Sequence, residues 1–374
     1  MPDTKIIHVV GSLDHGGAER FVTDLCNELA RKPLDVILVS LCENAVNDSL
    51  IDQVSERVQY VSFSKKKGLS LAVLLRLTQW LRKQRPTVVH SHLNSSEYLM
   101  FYRLISRRTS FYHTLHNVAE EECPEFPLKL IRKIFYSLNM VTPVTISAEC
   151  SDSYRRYYHL KNDQMIENAR NTIQPTPLRA SLEKIYKYSP DEILLVHIGR
   201  ISIEKNQALL IRAVKSLNQT EAKKCRLLMI GEIKDALLYH KLLSLAGGDP
   251  QIEFLGLRKN IADYLSIADA FCLSSSWEGM PISLIEAMSL GCIPVCTAVG
   301  GIPDMITDGF NGFLSKPDDL NAYRNALRKI IRGENLSKLS KRTVQTYRNR
   351  YQIGISAGKY LNMYSHENRQ HDTR

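Results

Sequence analysis

Two carboxylates stand out in a segment built for a ligand. Glu278 and Glu286, with seven residues between them, lie in Ser274-Ser275-Ser276-Trp277-Glu278-Gly279-Met280-Pro281-Ile282-Ser283-Leu284-Ile285-Glu286-Ala287-Met288. An apolar run ends in a polar loop, and Pro281 then opens an apolar helix, as proline does at a first helical position. A carboxylate inside such a helix is costly unless it is paired or bound to ligand hydroxyls. Glu286 is therefore either the partner of a buried base or a hydroxyl-binding group, and Glu278 either a solvated cap or a second acid facing the same cleft. The helix N-terminus adds free N–H groups suited to a phosphate. A second such turn is Gly11-Ser12-Leu13-Asp14-His15-Gly16-Gly17-Ala18-Glu19-Arg20. Glycines there would let backbone N–H groups approach an anion, although Gly16 and Gly17 also suit a plain tight turn. The run is neither a G-x-G-x-x-G fingerprint nor a P-loop.

The elements that position these residues are legible in the alternation of short apolar runs with longer amphipathic ones, the pattern of parallel strands joined by helices. In the first half, strands are expected near residues 6–10, 35–41, 59–61, 87–90, 110–115 and 144–146, with helices at 18–30, 69–84 and 128–138. The polar stretch Gln174-Pro175-Thr176-Pro177 and the charged residues to Pro190 read as a linker. The pattern then restarts, with strands at 192–198, 225–230, 252–254, 270–273, 293–297 and 312–314 and helices at 208–216, 237–245, 261–268, 282–290 and 320–331. The expected fold class is α/β, with two Rossmann-like doubly wound domains facing a cleft at the carboxyl ends of their strands. Residues 1–173 would form an acceptor-side domain, 174–190 the linker, 191–350 a donor-binding domain, and 351–374 a helix returning to the first domain.

Here the sequence resembles the family 4 retaining glycosyltransferases of the GT-B fold. The resemblance rests on E-G-M-P-x-x-x-x-E-A-M around Glu278 and Glu286, on Gly291-Cys292-Ile293-Pro294-Val295, on Gly300 to Ile306, and on Gly309-Phe310-Asn311-Gly312-Phe313. Upstream, Gly199-Arg200-Ile201-Ser202-Ile203-Glu204-Lys205-Asn206 looks like the family's G-R-x-x-x-x-K-N segment, and Gly16-Gly17-Ala18-Glu19-Arg20 like its N-terminal glycine loop. The resemblance implies that Arg200 and Lys205 hold the donor diphosphate, that Glu286 binds the nucleotide ribose, and that Glu278 contacts the donor sugar. Backbone N–H groups around Gly279, Met280, Pro281 and Ile282 would assist, with Ser283 and Leu284 beside the phosphate. Arg258 and Ile261 fall in the loop implied to lie near the nucleotide base. His116 matches the family's cleft histidine, while His113 falls inside a strand and His90 and His92 end another, where they would line the cleft. Two segments depart from the family pattern: Gly231-Glu232-Ile233-Lys234 lacks the usual turn, and Ala169 to Ile173 lacks the asparagine-glycine pair, which weakens a role for Asn171.

The implied reaction moves a hexosyl or related sugar from a nucleotide diphosphate sugar to an acceptor hydroxyl with retention, the departing phosphate taking the acceptor proton. It needs no cofactor beyond the donor. No metal is expected either, since the chain has no Asp-x-Asp and no C-x-x-C among its eight cysteines, which read as reduced core thiols. A lipid-linked saccharide in O-antigen, capsule or lipopolysaccharide synthesis is the acceptor that family analogy suggests. The rival readings are a sugar-nucleotide-binding assembly partner without catalysis and a sugar-nucleotide epimerase of the same fold.

Composition fits this reading. A chain of 374 residues, 44% hydrophobic and 24% charged, is an ordinary globular protein and excludes a disordered or collagen-like one. The net charge of +10 implies an anionic partner, but no nucleic-acid-binding motif accompanies it. Basic runs at 65–85 and at 324–350, the latter opposed only by Glu334, suit an anionic membrane surface or plain solvation. The helix at 69–85, rich in leucine, reads either as a crossover helix or as an interfacial one. With no signal peptide and no apolar run long enough to span a bilayer, the expected location is cytoplasmic, peripheral on the inner membrane.

Overall fold

The computed structural model of the chain describes residues 4–14, 16–43, 49–66, 68–186, 189, 191–333 and 335–371, with side chains described through residue 365. It divides into two units, residues 1–171 with 351–374, and residues 172–350.

The strands of the first unit are β1 (Lys5–Val10), β2 (Asp35–Cys42), β3 (Gln59–Lys65), β4 (Val88–His92), β5 (Ser110–Leu115), β6 (Thr142–Thr145) and β7 (Gln164–Met165). All pair in parallel, in the order β3-β2-β1-β4-β5-β6-β7. β1, β2, β4 and β5 are buried on both faces and their sequences do not alternate, whereas the edge strands β3 and β7 are largely exposed. On one face, Ile7, Val9, Ile37, Val39 and Val89 pack under Val73, Leu77 and Leu81 of the helix Leu71–Gln84. That helix covers the sheet as a crossover does, yet it leaves Leu71 and Leu75 exposed.

The second unit repeats the plan with β8 (Glu192–Ile198), β9 (Lys224–Ile230), β10 (Ile252–Gly256), β11 (Ala270–Leu273), β12 (Ile293–Thr297) and β13 (Phe313–Ser315), all parallel. Their order is β10-β9-β8-β11-β12-β13. In each sheet the order reverses once, between β1 and β4 and between β8 and β11. A crevice at the carboxyl ends of the two strands flanking that reversal is where such sheets bind ligands.

Three segments differ from expectation. The stretch 174–190 is no extended linker. It holds the helix Leu178–Tyr186, which packs on the helix Ile261–Ile267, and Thr176 Oγ1 donates to Asp263 Oδ2 at 2.8 Å. The proline pair had hidden a helix that belongs to the second unit. The basic run after Gly333 is also helical, Leu336–Arg350, anchored by Leu339, Thr343 and Tyr347 at four-residue spacing. Pro281 stands one position earlier than expected, as the N-cap of the helix Ile282–Ser289 with extended backbone.

The C-terminal helix Ile353–His371 belongs to the first unit. It packs on the helix Gly17–Leu29, with the rings of Tyr360 and Phe21 6.1 Å apart. Where the chain returns, Arg170 N–H donates to Tyr351 O at 2.9 Å and Ile353 N–H donates to Arg170 O at 3.2 Å. The Arg170 guanidinium also forms a buried ion pair with Asp24.

Candidate active site

In the second unit, the loops after β8 and β11 meet at the reversal point. Gly199 and Gly231 directly follow β8 and β9, and a Cβ on Gly231 would fall 1.9 Å from the Gly199 carbonyl oxygen, so only glycine fits there. Asn206, in the left-handed region at φ 44°, turns the chain after the short helical turn Ile203–Lys205. Ser274 Oγ then donates to the Asn206 carbonyl at 2.9 Å, latching the end of β11 to this turn. Beneath it His197 is fully buried, 2.9 Å from Cys272 O through Nδ1, and burial lowers its pKa to about 4. A neutral ring thus supports the turn without adding charge.

The latch brings Lys205 Nζ to 2.6 Å from Glu278 Oε1, and Ser275 Oγ donates to the same oxygen at 2.7 Å. The Glu278 loop is braced from behind. Gly301 N–H donates to Gly279 O at 2.7 Å, and Gly300, at φ +54°, would place a Cβ 1.7 Å from the Glu278 carbonyl oxygen. Met280 and Ile282 are buried, and Pro281 has no side-chain acceptor to cap the following helix. The first-turn N–H groups at Ile282 and Ser283 are therefore not capped from that position, and Leu284 N–H turns back to Pro281 O at 3.2 Å. Glu286 lies on the same helix, only 2% exposed. Arg200 shares the β8 loop with Lys205 but is half exposed, with Glu204 3.9 Å away. Arg258 is exposed and donates to Leu257 O at 3.3 Å, while Ile261 is buried at the start of its helix. Ser275 and His197 were not among the residues expected here. A serine three positions before Glu278 was the available signal for the first, and nothing in the apolar run of β8 marks the second.

In the first unit, Gly16 is the N-cap of the helix Gly17–Leu29 with extended backbone, and neither glycine has a positive φ. The Glu19 carboxylate folds to where a Gly16 Cβ would sit, 2.0 Å from that position. His15 lies outside the described residues. His116 follows β5, and its backbone N–H donates to Glu122 Oε2 at 2.7 Å. Its ring Nε2 is 3.0 Å from His92 Nδ1, and burial lowers its pKa to about 4 despite the nearby Glu122 carboxylate. His90 and His92 do not line an open surface as expected. Both are fully buried, stacked with ring centroids 4.5 Å apart, because alternate residues of β4 share a face that the C-terminal helix covers. His113 is buried within β5, 2.8 Å from Ser91 Oγ and 3.3 Å from Glu122 Oε1.

Residues 179–350 match the family model for glycosyl transferases group 1, and residues 15–168 match the model for glycosyltransferase family 4. This chain is a family 4 glycosyltransferase. The glycosyltransferase is 24% identical over 96% of its length, and 96% of the relative's, to the UDP-Gal:alpha-D-GlcNAc-diphosphoundecaprenol alpha-1,3-galactosyltransferase of Escherichia coli. It is 25% identical to the N-acetylgalactosamine-N,N'-diacetylbacillosaminyl-diphospho-undecaprenol 4-alpha-N-acetylgalactosaminyltransferase of Campylobacter jejuni, covering 94% of this chain and 97% of that one. Among solved structures, the fold of the glycosyltransferase matches Anabaena HepE in complex with UDP at TM-score 0.80 and 17% identity, over 97% of this chain and 100% of that one. A glycosyltransferase from Rickettsia africae matches at TM-score 0.80 and 18% identity, over 98% and 99%. The fold is GT-B, two Rossmann-like units in one chain.

Proposed function

We propose that this glycosyltransferase moves a hexosyl or related sugar from a nucleotide diphosphate sugar to a hydroxyl of a lipid-linked saccharide, with retention and without a metal. The observation that carries this reading is the Lys205–Glu278 pair at the reversal point of the second sheet, ahead of a helix N-terminus. A lysine beside a carboxylate is charged and oriented before the donor arrives. When a diphosphate enters, the ammonium and the N–H groups of Ile282 and Ser283 offer charge-assisted hydrogen bonds to the oxygens on which negative charge grows as the leaving group departs. Arg200, on the same loop, adds a second cation of greater reach. Glu278, still held by Ser275, then accepts from a sugar hydroxyl, and Glu286 is the carboxylate that would bind the ribose. On this reading the departing phosphate oxygen takes the acceptor proton, so no protein nucleophile is needed.

The lipid-linked acceptor is proposed from the relatives, whose names specify diphosphoundecaprenol carriers, and from one surface of the first unit. No helix among the described residues is long and apolar enough to cross a membrane. The helix Phe126–Ser137 and its C-cap nevertheless expose Phe126, Leu130, Ile134 and Leu138 at four-residue spacing, beside Lys129 and Lys133. A stripe of that kind, apolar and flanked by cations, suits the interface of an anionic membrane. It supports peripheral attachment at the cytoplasmic face, where surface polysaccharide is assembled on lipid carriers.

The test begins with nucleotide sugars screened for thermal stabilisation, since a bound donor raises stability by mass action. Nucleotide release is then followed with and without lipid-linked acceptor. Lys205→Ala and Glu278→Ala should each lower acceptor-dependent release about 100-fold or more, EDTA should leave wild-type activity intact, and the product linkage should keep the donor's anomeric configuration. Wild-type turnover by both variants would sink the assignment. Product formed without acceptor would favour an epimerase, and donor binding without release an assembly partner.

A further inference from the structure

A buried hydrogen-bonded bridge runs beneath the loop that carries Arg200 and Lys205. Its two side chains, both buried, are His197 on β8 and Gln207, the first residue of the helix Gln207–Thr220. His197 Nδ1 lies 2.9 Å from Cys272 O, and its Nε2 lies 3.3 Å from Gln207 Nε2. Gln207 Nε2 in turn donates to the Arg200 carbonyl at 2.7 Å. Two side chains thus tie β11 to the backbone of Arg200.

The hydrogens of this bridge are set by partners that can only accept. A carbonyl oxygen has no hydrogen to give, so His197 Nδ1 is an N–H. Burial first, and then the Lys205 charge, lower the ring's pKa to about 4 against the opposing pull of the Cys272 carbonyl and Glu278. The ring is neutral at pH 7, which leaves Nε2 a bare lone pair. The Gln207 amide nitrogen then spends one hydrogen on that lone pair and the other on Arg200 O. A flipped amide would set its oxygen against a carbonyl oxygen and a lone pair, so the network excludes it. Gln207 Oε1 is left buried with no partner among the described residues, which is less costly than an orphaned N–H.

The peptide after Arg200 is held at both polar ends, because Ile201 N–H donates to Glu232 O at 2.9 Å. Lys205 is tied in by packing. A Cβ on Gly199 would lie 3.3 Å from His197 Nε2 and 3.6 Å from Lys205 Cδ, so the ring and the lysine stem flank one glycine. We propose that His197 and Gln207 are positioning residues that set the backbone beneath Arg200 and Lys205 and so aim both cations at the donor diphosphate. This rests on the reading of those two cations as the diphosphate site. Long side chains lose rotamer freedom when they grip a ligand, and a root that is already fixed reduces that cost.

Inorganic pyrophosphate, titrated calorimetrically into the full chain, probes this site without a nucleotide base or turnover. Gln207→Met keeps the length of the side chain and removes both hydrogens, while Gln207→Glu keeps its shape and puts an acceptor in their place. Both variants should bind pyrophosphate about tenfold more weakly than the wild type. Both should also lose about 100-fold in kcat/KM for acceptor-dependent nucleotide release, with far-ultraviolet circular dichroism unchanged. In selective 15N-histidine spectra of the wild type at pH 7, His197 should carry hydrogen on Nδ1 alone. A merely structural role would lower the melting temperature and leave the pyrophosphate affinity of the folded variants unchanged. That result would overturn the proposal, as would hydrogen on Nε2 of wild-type His197. Lys205→Ala separates the two claims. Wild-type affinity in that variant, or no binding by the wild type, would remove the diphosphate reading and the inference with it. Weak binding by Lys205→Ala beside full affinity in both Gln207 variants would remove the positioning roles alone.

Discussion

Gly300→Ala should cripple the glycosyltransferase without altering any group proposed to touch its substrates. Gly300 has φ +54°, and an alanine Cβ there would sit 1.7 Å from the Glu278 carbonyl oxygen and 3.3 Å from that of Gly279. Real Cβ atoms almost never come within 3.0 Å, so the two turns must separate by at least about 1.3 Å. The Gly301 N–H to Gly279 O bond of 2.7 Å is the latch between them, and it would open. Left-handed backbone costs an alanine roughly 1–2 kcal/mol, enough to lower the melting temperature by about 2–8 °C in a unit of this size. The functional effect should be larger, because a displacement of about 1 Å at the reacting geometry is worth about 100-fold in rate. Steady-state nucleotide release with acceptor should show kcat down about 100-fold while far-ultraviolet circular dichroism stays that of the wild type. A folded Gly300→Ala protein with kcat within about threefold of wild type would refute the claim that this turn positions Glu278.

Acid should destabilise the fold before any carboxylate is protonated in quantity. His8, His116 and His197 have folded pKa values of about 3, 4 and 4 against an ordinary 6.5, so the unfolded chain binds more protons as pH falls below about 6.5. Their neutral burial is free of penalty above that pH, and at pH 5 each should favour unfolding by about 2 kcal/mol, read as a drop in urea midpoint between pH 7.5 and 5; an unchanged midpoint would contradict it. Tyr364→Phe leaves His90 Nδ1 without its 2.6 Å partner and should cost about 1–3 kcal/mol in urea unfolding, with no change meaning the C-terminal helix does not secure the stack. Leu130→Glu with Ile134→Glu changes exposed positions only, so stability should hold within about 0.5 kcal/mol per site while sedimentation with anionic vesicles falls; equal sedimentation of variant and wild type would remove this stripe from the membrane interface.

The parallel strands were readable because burial on both faces leaves continuous apolar runs, and β8, β11 and β12 fall where the sequence places them. Lys205 and Glu278 were visible as residues with a role, but not as partners, since 73 positions separate them. The linker reading failed on Leu178–Tyr186 because Pro175 and Pro177 suggest extended chain, while the helix takes its stability from packing on a distant helix. The helix Leu336–Arg350 was masked by its basic residues, though Leu339, Thr343 and Tyr347 at helical spacing were there to find. The histidine chain was the least legible. His90 and His92 at i and i+2 on a strand share a face, but the bonding of His92 to His8 and His116 depends on β1, β4 and β5 being neighbours.

The return of the last segment to the first unit makes residues 172–350 an insertion within that unit. During synthesis, β1 to β7 emerge from the ribosome long before the helix that covers Phe21, His90 and Thr114. The first half must wait, its aromatic and histidine face uncovered, until the second unit has been made and Tyr360 and Tyr364 arrive. The order of synthesis thus makes the second unit the first that is able to finish folding, and makes loss of a few C-terminal turns a lesion in the N-terminal half of the molecule.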